Sequence, residues 1–190
     1  MQTKNIILFA SGNGSNAENI CRYFQNNTSI HVAALFCNKA DAKVLDRMKA
    51  VNVPTHVFSR SEFHDSEKFL PLLINFKADL IVLSGFFWLV PEYLVKYFSG
   101  KIINIHPALL PKYAGKGMHG QHVHEAVKAN GETETGITIH YVNEKYDEGG
   151  IIFQASTTLT NNDSIEDIAM KISVLEKDNF PKVIETLLLK

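Results

Sequence analysis

The sequence predicts a doubly wound α/β fold in a single domain, with a mostly parallel sheet covered by helices on both faces. Short apolar segments alternate with amphipathic ones through the first half of the chain. The apolar segments are nearly unbroken, as in parallel strands that are buried on both faces. No repeat, low-complexity tract or linker interrupts the 190 residues. Since one hydrophobic core serves chains of up to about 250 residues, we expect one domain over residues 1–190.

In the first half, β-branched and aromatic runs predict strands, and apolar residues at helical spacing predict helices. The predicted strands are Lys4–Ala10, Ile30–Cys37, Thr55–Phe58, Leu80–Leu83 and Lys101–Ile105. The predicted helices are Asn16–Gln25, Ala40–Val51, Ser61–Phe76 and Pro91–Phe98. Strands and helices alternate along the chain, which is typical of β-α-β units.

Beyond Pro107 the pattern changes. Residues 108–120 hold three glycines and a proline without an apolar period, which predicts a loop, and long loops in compact domains are usually functional. The next predicted elements are a helix over Gln121–Ala129, a half-exposed strand over Gly136–Val142 and a strand over Gly150–Ala155. Asp163 with Glu166 three residues later is typical of a helix start and predicts a final helix.

The composition excludes several classes of function. Nineteen basic and 20 acidic residues give a net charge of −1, which argues against nucleic acid as the main ligand. The apolar run Ile6–Ala10 is too short for a signal peptide, and no stretch reaches membrane-spanning length. Two distant cysteines, Cys21 and Cys37, are typical of reduced core thiols. We therefore expect a cytoplasmic protein that acts on small molecules, without a nucleic-acid or membrane partner.

A glycine-rich turn, Gly12–Ala17, follows the first strand and opens the first helix. Free backbone N–H groups and the helix dipole make such a turn an anion site. A dinucleotide would also need an acidic residue at the end of the second strand, and Cys37 and Asn38 stand there instead. The turn therefore favours one terminal phosphate over NAD, although a tight turn without a ligand would look the same.

Asn104 and His106 lie at the carboxyl end of a predicted strand, where open α/β sheets place their ligands. Side chains alternate along a strand, so both project to the same side. An amide donor beside an imidazole can hold the oxygen of a carbonyl under attack and move one proton. Alone, this pair would more often be structural.

Two further segments could complete a site. Asp147 and Glu148 precede two glycines that let the backbone approach a ligand closely, and an acid there can orient a histidine. The run Phe86–Val90 could line a flat aromatic pocket or belong to the core. His140, on a predicted strand, could be a core histidine or support the site from behind.

A metal site is not expected. His119, His122, His124 and Glu125 cluster in sequence, but zinc-binding helices place histidines four residues apart and Val123 stands four residues after His119.

Three strings together carry a resemblance to a known family: Ser11–Asn16, Asn104–Tyr113 and Thr138–Val142. The second reads Asn-x-His-Pro-x-Leu-Leu-Pro, which is specific to folate-dependent formyltransferases. The first string, Ser-Gly-Asn-Gly-Ser-Asn, is similar to that of the phosphoribosylglycinamide formyltransferases within that group. The likeness extends from the first strand to the last helix.

This resemblance implies a Rossmann-like fold and transfer of a formyl group from 10-formyltetrahydrofolate to the primary amine of glycinamide ribonucleotide, a step of purine synthesis. It implies catalytic roles for Asn104, His106 and Asp147 and a supporting role for His140, which contacts these residues rather than the substrate. It implies no metal. Two alternatives stay open: formylation of another amino-sugar nucleotide, and a catalytically silent regulator that binds folate or nucleotide. We expect a monomer or a weak homodimer.

The resemblance also implies two binding regions, a phosphate half over about residues 1–100 and a catalytic and folate half over about residues 80–190. The residues implied for the substrate phosphate and ribose are Gly14, Ser15, Asn16 and Glu176. Those implied for folate are Phe87, Trp88, Leu89, Val90, Asn143, Glu144, Tyr146 and Glu148.

The chain departs from the family pattern at three places. Family members often carry Met-Arg where this chain has Phe87 and Trp88. Ser66 stands where a basic residue is expected, and Lys68 is a nearby candidate for assisting the phosphate. The loop Gly115–His122 is longer than in the common form. These departures concern substrate binding and leave the three implied catalytic residues in place.

Overall fold

The computed structural model describes residues 3–189, and within them it contains seven strands and seven helices. The strands are β1 (Lys4–Ala10), β2 (Ile30–Cys37), β3 (Thr55–Val57), β4 (Ala78–Leu83), β5 (Ile102–His106), β6 (Glu134–Tyr141) and β7 (Ile151–Thr158). The helices are α1 (Ser15–Phe24), α2 (Val44–Ala50), α3 (Arg60–His64), α4 (Ser66–Asn75), α5 (Glu92–Tyr97), α6 (Gln121–Ala129) and α7 (Ile165–Leu188). Met1, Gln2 and Lys190, which belong to the expected domain, lie outside the described residues.

All seven strands form one sheet in the order β3-β2-β1-β4-β5-β6-β7. Strands β1 to β5 pair in parallel, whereas β6 is antiparallel to β5 and β7 is antiparallel to β6. This confirms the predicted single-domain α/β fold with a mostly parallel sheet. None of the helices in residues 3–189 has the length and apolar character that crossing a bilayer requires.

Alternate side chains of the central strand serve two cores, one on each face of the sheet. Ile6 and Leu8 of β1 pack with α1, α2 and α7. Ile7 and Phe9 point the other way and pack with α4, α5 and an aromatic cluster. That cluster consists of Phe9, Phe36, Phe58, Phe63, Phe69 and Phe86, and its rings contact one another at centroid distances of about 5–6 Å. Both faces of the sheet are therefore covered, as near-unbroken apolar strands require.

Helix boundaries differ from the prediction at two places. The predicted helix Ser61–Phe76 is two helices, because the side chain of Asp65 caps a new start by accepting from the Lys68 N–H at 3.3 Å. The predicted helix Ala40–Val51 begins only at Val44, whose N–H donates to the Gly12 carbonyl oxygen at 3.1 Å.

Two expectations for the second half are also corrected. Strand β6 is buried along both faces rather than half exposed, because α7 covers one face and the loop around Leu109 covers the other. The capping box of α7 is formed by Ser164 and Asp167, one residue later than predicted. Asp163 instead accepts from the Thr160 N–H and pairs with Lys171 at 2.7 Å.

Candidate active site

A cavity of about 520 Å³ opens at the carboxyl ends of β1, β4 and β5. It is lined by the turn after β1, by the segment after β4 and by the end of β5, with loops 115–120 and 145–147 and the α7 residue Glu176 on its other sides. Ligands of open α/β sheets bind at this edge, where strand order reverses. The cavity therefore brings together the segments that the sequence singled out: the glycine-rich turn, the run Phe86–Val90, the strand end with Asn104 and His106, the loop before α6 and Asp147.

Asn104 and His106 project from β5 into this cavity, and β6 presents His140 beside them. Asn104 and His140 are directly paired in the antiparallel register. Nδ2 of Asn104 lies 3.1 Å from Nε2 of His140. Nδ1–H of His140 donates to the carbonyl oxygen of Tyr141 at 2.9 Å, so in the neutral ring Nε2 accepts from Asn104. His140 is thus a hydrogen-bond partner of Asn104 rather than a purely apolar core residue.

His106 is almost fully buried, with 3 % of its surface exposed. Its Nε2–H donates to the carbonyl oxygen of Tyr113 at 2.9 Å, and its Nδ1 faces Oδ1 of Asp147 at 3.6 Å. Burial lowers the pKa of His106, and the negative charge of Asp147 only partly opposes that effect. The neutral ring is therefore favoured, with a carboxylate close enough to stabilise the charged form.

Asp147 connects the two histidines. Its Oδ1 lies 3.6 Å from His106 Nδ1 and 3.6 Å from His140 Nε2, and its Oδ2 accepts from the Gly115 N–H at 3.1 Å. Burial by itself raises the pKa of Asp147, but the adjacent rings of His140 and His106 and the Gly115 N–H together outweigh it and lower the pKa. Asp147 is therefore an ionised carboxylate behind the imidazole.

Two side chains that support this group were not singled out from the sequence. The hydroxyl of Thr138, directly opposite His106, donates to the Ala108 carbonyl oxygen at 2.7 Å and accepts from the Leu110 N–H at 2.9 Å. Nε2 of Gln154 donates to the same hydroxyl at 2.9 Å. They fix the chain that leaves β5 after Pro107. The alternation along β6 could have identified Thr138, which lies two residues before His140 and faces the same side.

The glycine-rich turn and Glu176 meet at the opposite end of the cavity. Gly14 has φ 76° at the start of α1, and a Cβ there would lie 2.2 Å from the Val44 side chain, so only glycine fits. Nδ2 of Asn16 donates to Oε2 of Glu176 at 2.9 Å. Burial raises the pKa of Glu176, although the bond from Asn16 partly offsets it. Ser15 also lines the cavity.

The aromatic run after β4 borders the cavity and in part belongs to the core. All five residues of Phe86–Val90 line the cavity, and Phe86 and Val90 are also buried in the core, whereas Phe87 and Leu89 are 37 % and 38 % exposed. The ring of Phe87 stacks on that of His119 at 4.4 Å. The guanidinium of Arg60 lies 5.4 Å from the centre of the Trp88 ring. Both sequence interpretations of this run therefore apply, and Phe86 and Val90 fit both.

Several candidates lie away from the cavity. Of the 143–148 loop, Lys145, Tyr146 and Asp147 line it, but Asn143, Glu144 and Glu148 do not. Lys68 pairs with Asp65 at 3.0 Å on an exposed surface. No group of three or more His, Cys, Asp or Glu side chains in the described part of the chain is arranged to hold a metal ion.

Comparison with known proteins identifies close similarity to one family. The family model described as formyl transferase matches residues 4–184. A phosphoribosylglycinamide formyltransferase of Bacillus subtilis is 37% identical, over 97% of this chain and 95% of that protein. The enzyme of the same name from Escherichia coli is 35% identical, over 95% of this chain and 85% of that protein. The crystal structure of phosphoribosylglycinamide formyltransferase from Anaplasma phagocytophilum superposes with a TM-score of 0.89 at 31% identity, covering 99% of this chain and 88% of that one.

Proposed function

The chain belongs to the formyl transferase family, and on that premise we propose that it transfers the formyl group of 10-formyltetrahydrofolate to the primary amine of glycinamide ribonucleotide. The relatives that cover nearly the whole chain carry the name of this activity, a step of purine biosynthesis. The observation that carries the proposal is the convergence of Asn104, His106 and Asp147 in one cavity whose far end holds an anion-binding turn. An amide, an imidazole and a carboxylate are the groups that acyl transfer to an amine requires.

The cavity suits a folate co-substrate. Its volume of about 520 Å³ lies within the range of sites that bind drug-sized ligands, and aromatic and aliphatic side chains line one end. We assign Phe87, Trp88, Leu89 and Val90 to this end, because Phe87 and Leu89 leave apolar surface facing the cavity. When bound, 10-formyltetrahydrofolate supplies the formyl carbon, and negative charge develops on its carbonyl oxygen as the amine adds.

We assign Asn104 the role of a donor to this oxygen. One N–H of its side-chain amide donates to Nε2 of His140, and the second N–H is available to donate to a ligand in the cavity. Because His140 fixes the amide before the charge develops, the donor needs no reorganisation during the reaction. Preorganised donors of this kind typically contribute about 3–4 kcal/mol to lowering the barrier.

We assign His106 a proton transfer through a water molecule. The attacking amine loses the proton, and N10 of the folate gains it as the bond between N10 and the formyl carbon breaks and tetrahydrofolate leaves. The free Nδ1 of His106 faces Asp147, so the carboxylate stabilises the imidazolium that results. The charged ring then donates to the same oxygen as Asn104. The Nε2–H of His106 already donates to the Tyr113 carbonyl oxygen at 2.9 Å. Donation to the formyl oxygen therefore requires this N–H to bond to both oxygens or to break its bond to Tyr113.

At the other end of the cavity we assign the substrate phosphate to Gly14, Ser15 and Asn16, and the ribose hydroxyls to Glu176. The start of α1 offers N–H groups and the positive end of a helix dipole to an anion. Asn16 orients the Glu176 carboxyl with a 2.9 Å hydrogen bond. This gives the chain a phosphate half over about residues 1–100 and a catalytic and folate half over about residues 80–190.

The remaining assignments concern the 143–148 loop, the cellular location and the oligomeric state. Tyr146 lines the cavity, whereas a part for Asn143, Glu144 and Glu148 in folate binding would need main-chain contacts or movement of the 143–148 loop.

We propose a cytoplasmic location, since Cys21 and Cys37 are both unpaired and reduced thiols are typical of that compartment. A monomer or a weak homodimer stays a prediction, which sedimentation at several protein concentrations tests.

Steady-state formyl transfer tests the function directly. The reaction contains 10-formyltetrahydrofolate and glycinamide ribonucleotide, and absorbance follows the released tetrahydrofolate. We expect turnover by the wild type, its loss in His106→Ala with an unchanged circular dichroism spectrum, and wild-type rates in His31→Ala, an exposed histidine on β2. Transfer only to another amino-sugar nucleotide, or binding of both substrates without turnover, would contradict the proposal.

A further inference from the structure

Arg47, on α2 and outside the cavity lining, holds the turn between β1 and α1. Its Nε–H donates to the backbone carbonyl oxygen of Asn13 at 2.8 Å, and its Nη2–H donates to the side-chain oxygen of Asn13 at 3.1 Å. Its Nη1 pairs with the carboxylate of Glu18 in the first turn of α1. A guanidinium presents these donors in a rigid planar fork. One side chain therefore fixes the turn and the helix start relative to each other.

The neighbouring peptide is held from the same helix. The Val44 N–H donates to the Gly12 carbonyl oxygen at 3.1 Å, so the carbonyls of both Gly12 and Asn13 are bonded to α2. In a trans peptide the C=O and N–H bonds point in opposite directions. The N–H groups of Asn13 and Gly14 therefore point away from α2, and they have no acceptor within residues 3–189. Both residues line the cavity on that side.

Charge at the turn is balanced by the same contact. Glu18 alone would oppose an anion at the start of α1, because like charges repel and the helix dipole favours one negative charge there. Arg22 donates to Oε1 of Glu18 at 2.8 Å, and Arg47 pairs with Oε2. Two guanidinium groups on one carboxylate leave a net positive charge beside the turn. Of the two arginines, Arg47 also contacts the turn itself.

We propose that Arg47 is a positioning residue that holds the Asn13 and Gly14 N–H groups ready for the phosphate of the ribonucleotide substrate. This inference rests on the proposed function and identifies what preorganises that end of its site. Arg47 lies outside the cavity lining, so it acts on the phosphate through the turn rather than by contact. It thereby serves as the basic residue of the phosphate site, since Ser66 stands where the family pattern has one. Its effect is confined to the ribonucleotide, because within residues 3–189 the Arg47 side chain bonds to Asn13 and Glu18 and to no residue of the aromatic end.

The test compares Arg47→Lys with Arg22→Lys. Lysine keeps the charge but has one side-chain nitrogen, which cannot bridge Asn13 and Glu18. Arg22→Lys, in contrast, changes a guanidinium whose one partner in the described part of the chain is Glu18. Loss of bonds from a charged donor predicts that Arg47→Lys raises the KM for glycinamide ribonucleotide about tenfold. The kcat and the KM for 10-formyltetrahydrofolate should stay unchanged, and Arg22→Lys should leave all three constants unchanged.

A binding measurement separates this inference from the proposed activity. Titration calorimetry with ribose 5-phosphate needs no formyl transfer, and Arg47→Lys should weaken its binding by the same factor, about tenfold. If the wild type transfers no formyl group but binds ribose 5-phosphate more tightly than Arg47→Lys does, the positioning role stands and the proposed activity does not. If the wild type is active and both variants bind alike, the positioning role is overturned. A fall in kcat, both affinities and the thermal midpoint together would also overturn it, since it would indicate a general part in folding.

Discussion

Asn104 and His140 stand directly opposite each other across the antiparallel strands β5 and β6, and their side chains are joined by a 3.1 Å hydrogen bond. The other ring nitrogen of His140 donates to a backbone carbonyl, so the ring fixes which way the amide of Asn104 faces. The parallel part of the sheet supplies the position of Asn104, and the first antiparallel strand supplies its orientation. The geometry of the proposed active site therefore depends on the change from parallel to antiparallel pairing between β5 and β6.

In the proposed reaction His140 acts through Asn104, with which it shares a hydrogen bond, so the two residues should not contribute to kcat independently. We expect Asn104→Ala to lower kcat about 100–1000-fold and His140→Ala to lower it roughly tenfold. In the Asn104→Ala background, His140→Ala should change kcat far less, since the amide that it orients is already absent. The four kcat values form a double-mutant cycle. Asn161→Ala, on a distant turn, is the control for loss of an asparagine, and multiplicative losses would show that the residues act separately.

The carboxylate of Asp147 should control the titration of His106. Burial lowers the pKa of His106, and the carboxylate 3.6 Å from Nδ1 opposes this effect. Asp147→Asn removes the charge while keeping the shape, so the pKa of His106 should fall further. Ring ¹⁵N chemical shifts followed against pH should give a midpoint below about 6.5 in the wild type and a lower one in Asp147→Asn. Asp178→Asn, an exposed residue of α7, should leave the midpoint unchanged, and an equal or higher midpoint in Asp147→Asn would contradict the interpretation.

The part of the site that follows from local pattern could be predicted from the sequence. Alternation along one strand places Asn104 and His106 on the same side, and both line the cavity. Apolar periodicity gives the alternating strands and helices, because burial of each strand on two faces leaves a continuous apolar run. Family resemblance adds Asp147, whose own sequence context is only an acidic turn.

Contacts between distant segments could not be predicted in the same way. The pairing of Asn104 with His140 depends on strand register, and the bond from Arg47 to Asn13 joins residues 34 positions apart. Phe86 is buried and Phe87 exposed although their side chains are the same, so the difference depends on where the chain turns after β4. Register and turns are properties of the assembled fold rather than of a short stretch of chain.

His124 should make the protein less stable at acidic pH. It is buried on α6, its Nδ1 has no hydrogen-bond partner within residues 3–189, and burial lowers its pKa. In the unfolded chain a histidine has a pKa of about 6.5 and binds a proton below that pH, whereas the buried ring of His124 in the folded chain stays neutral. The free energy of unfolding therefore falls as pH drops below about 6.5. Urea unfolding at about pH 7.5 and pH 5.5 should show a smaller loss in His124→Gln than in the wild type. His31→Gln, at an exposed site, should lose as much as the wild type, and equal losses in all three would exclude this role.

The two glycines after Glu148 should differ sharply in tolerance to substitution, although they are adjacent. A Cβ on Gly149 would lie 1.7 Å from the backbone oxygen of Tyr141, whereas one on Gly150 would lie 3.9 Å from the Tyr141 side chain. Gly149→Ala must therefore displace the chain that carries Asp147, at a cost of about 1–3 kcal/mol in folding free energy.

Displacing that chain separates the carboxylate of Asp147 from His106, so we expect Gly149→Ala to reduce kcat as well as stability. The matched variant Gly150→Ala should retain both. Thermal unfolding and steady-state kinetics on the two proteins provide the measurement. If Gly149→Ala is destabilised yet keeps a wild-type kcat, then Asp147 reaches His106 without the close approach of Gly149 to Tyr141, and its position must be set by the bond from Gly115 instead. Equal tolerance of both substitutions would mean that the 143–148 loop adjusts freely, and the fixed placement of Asp147 would have no structural basis.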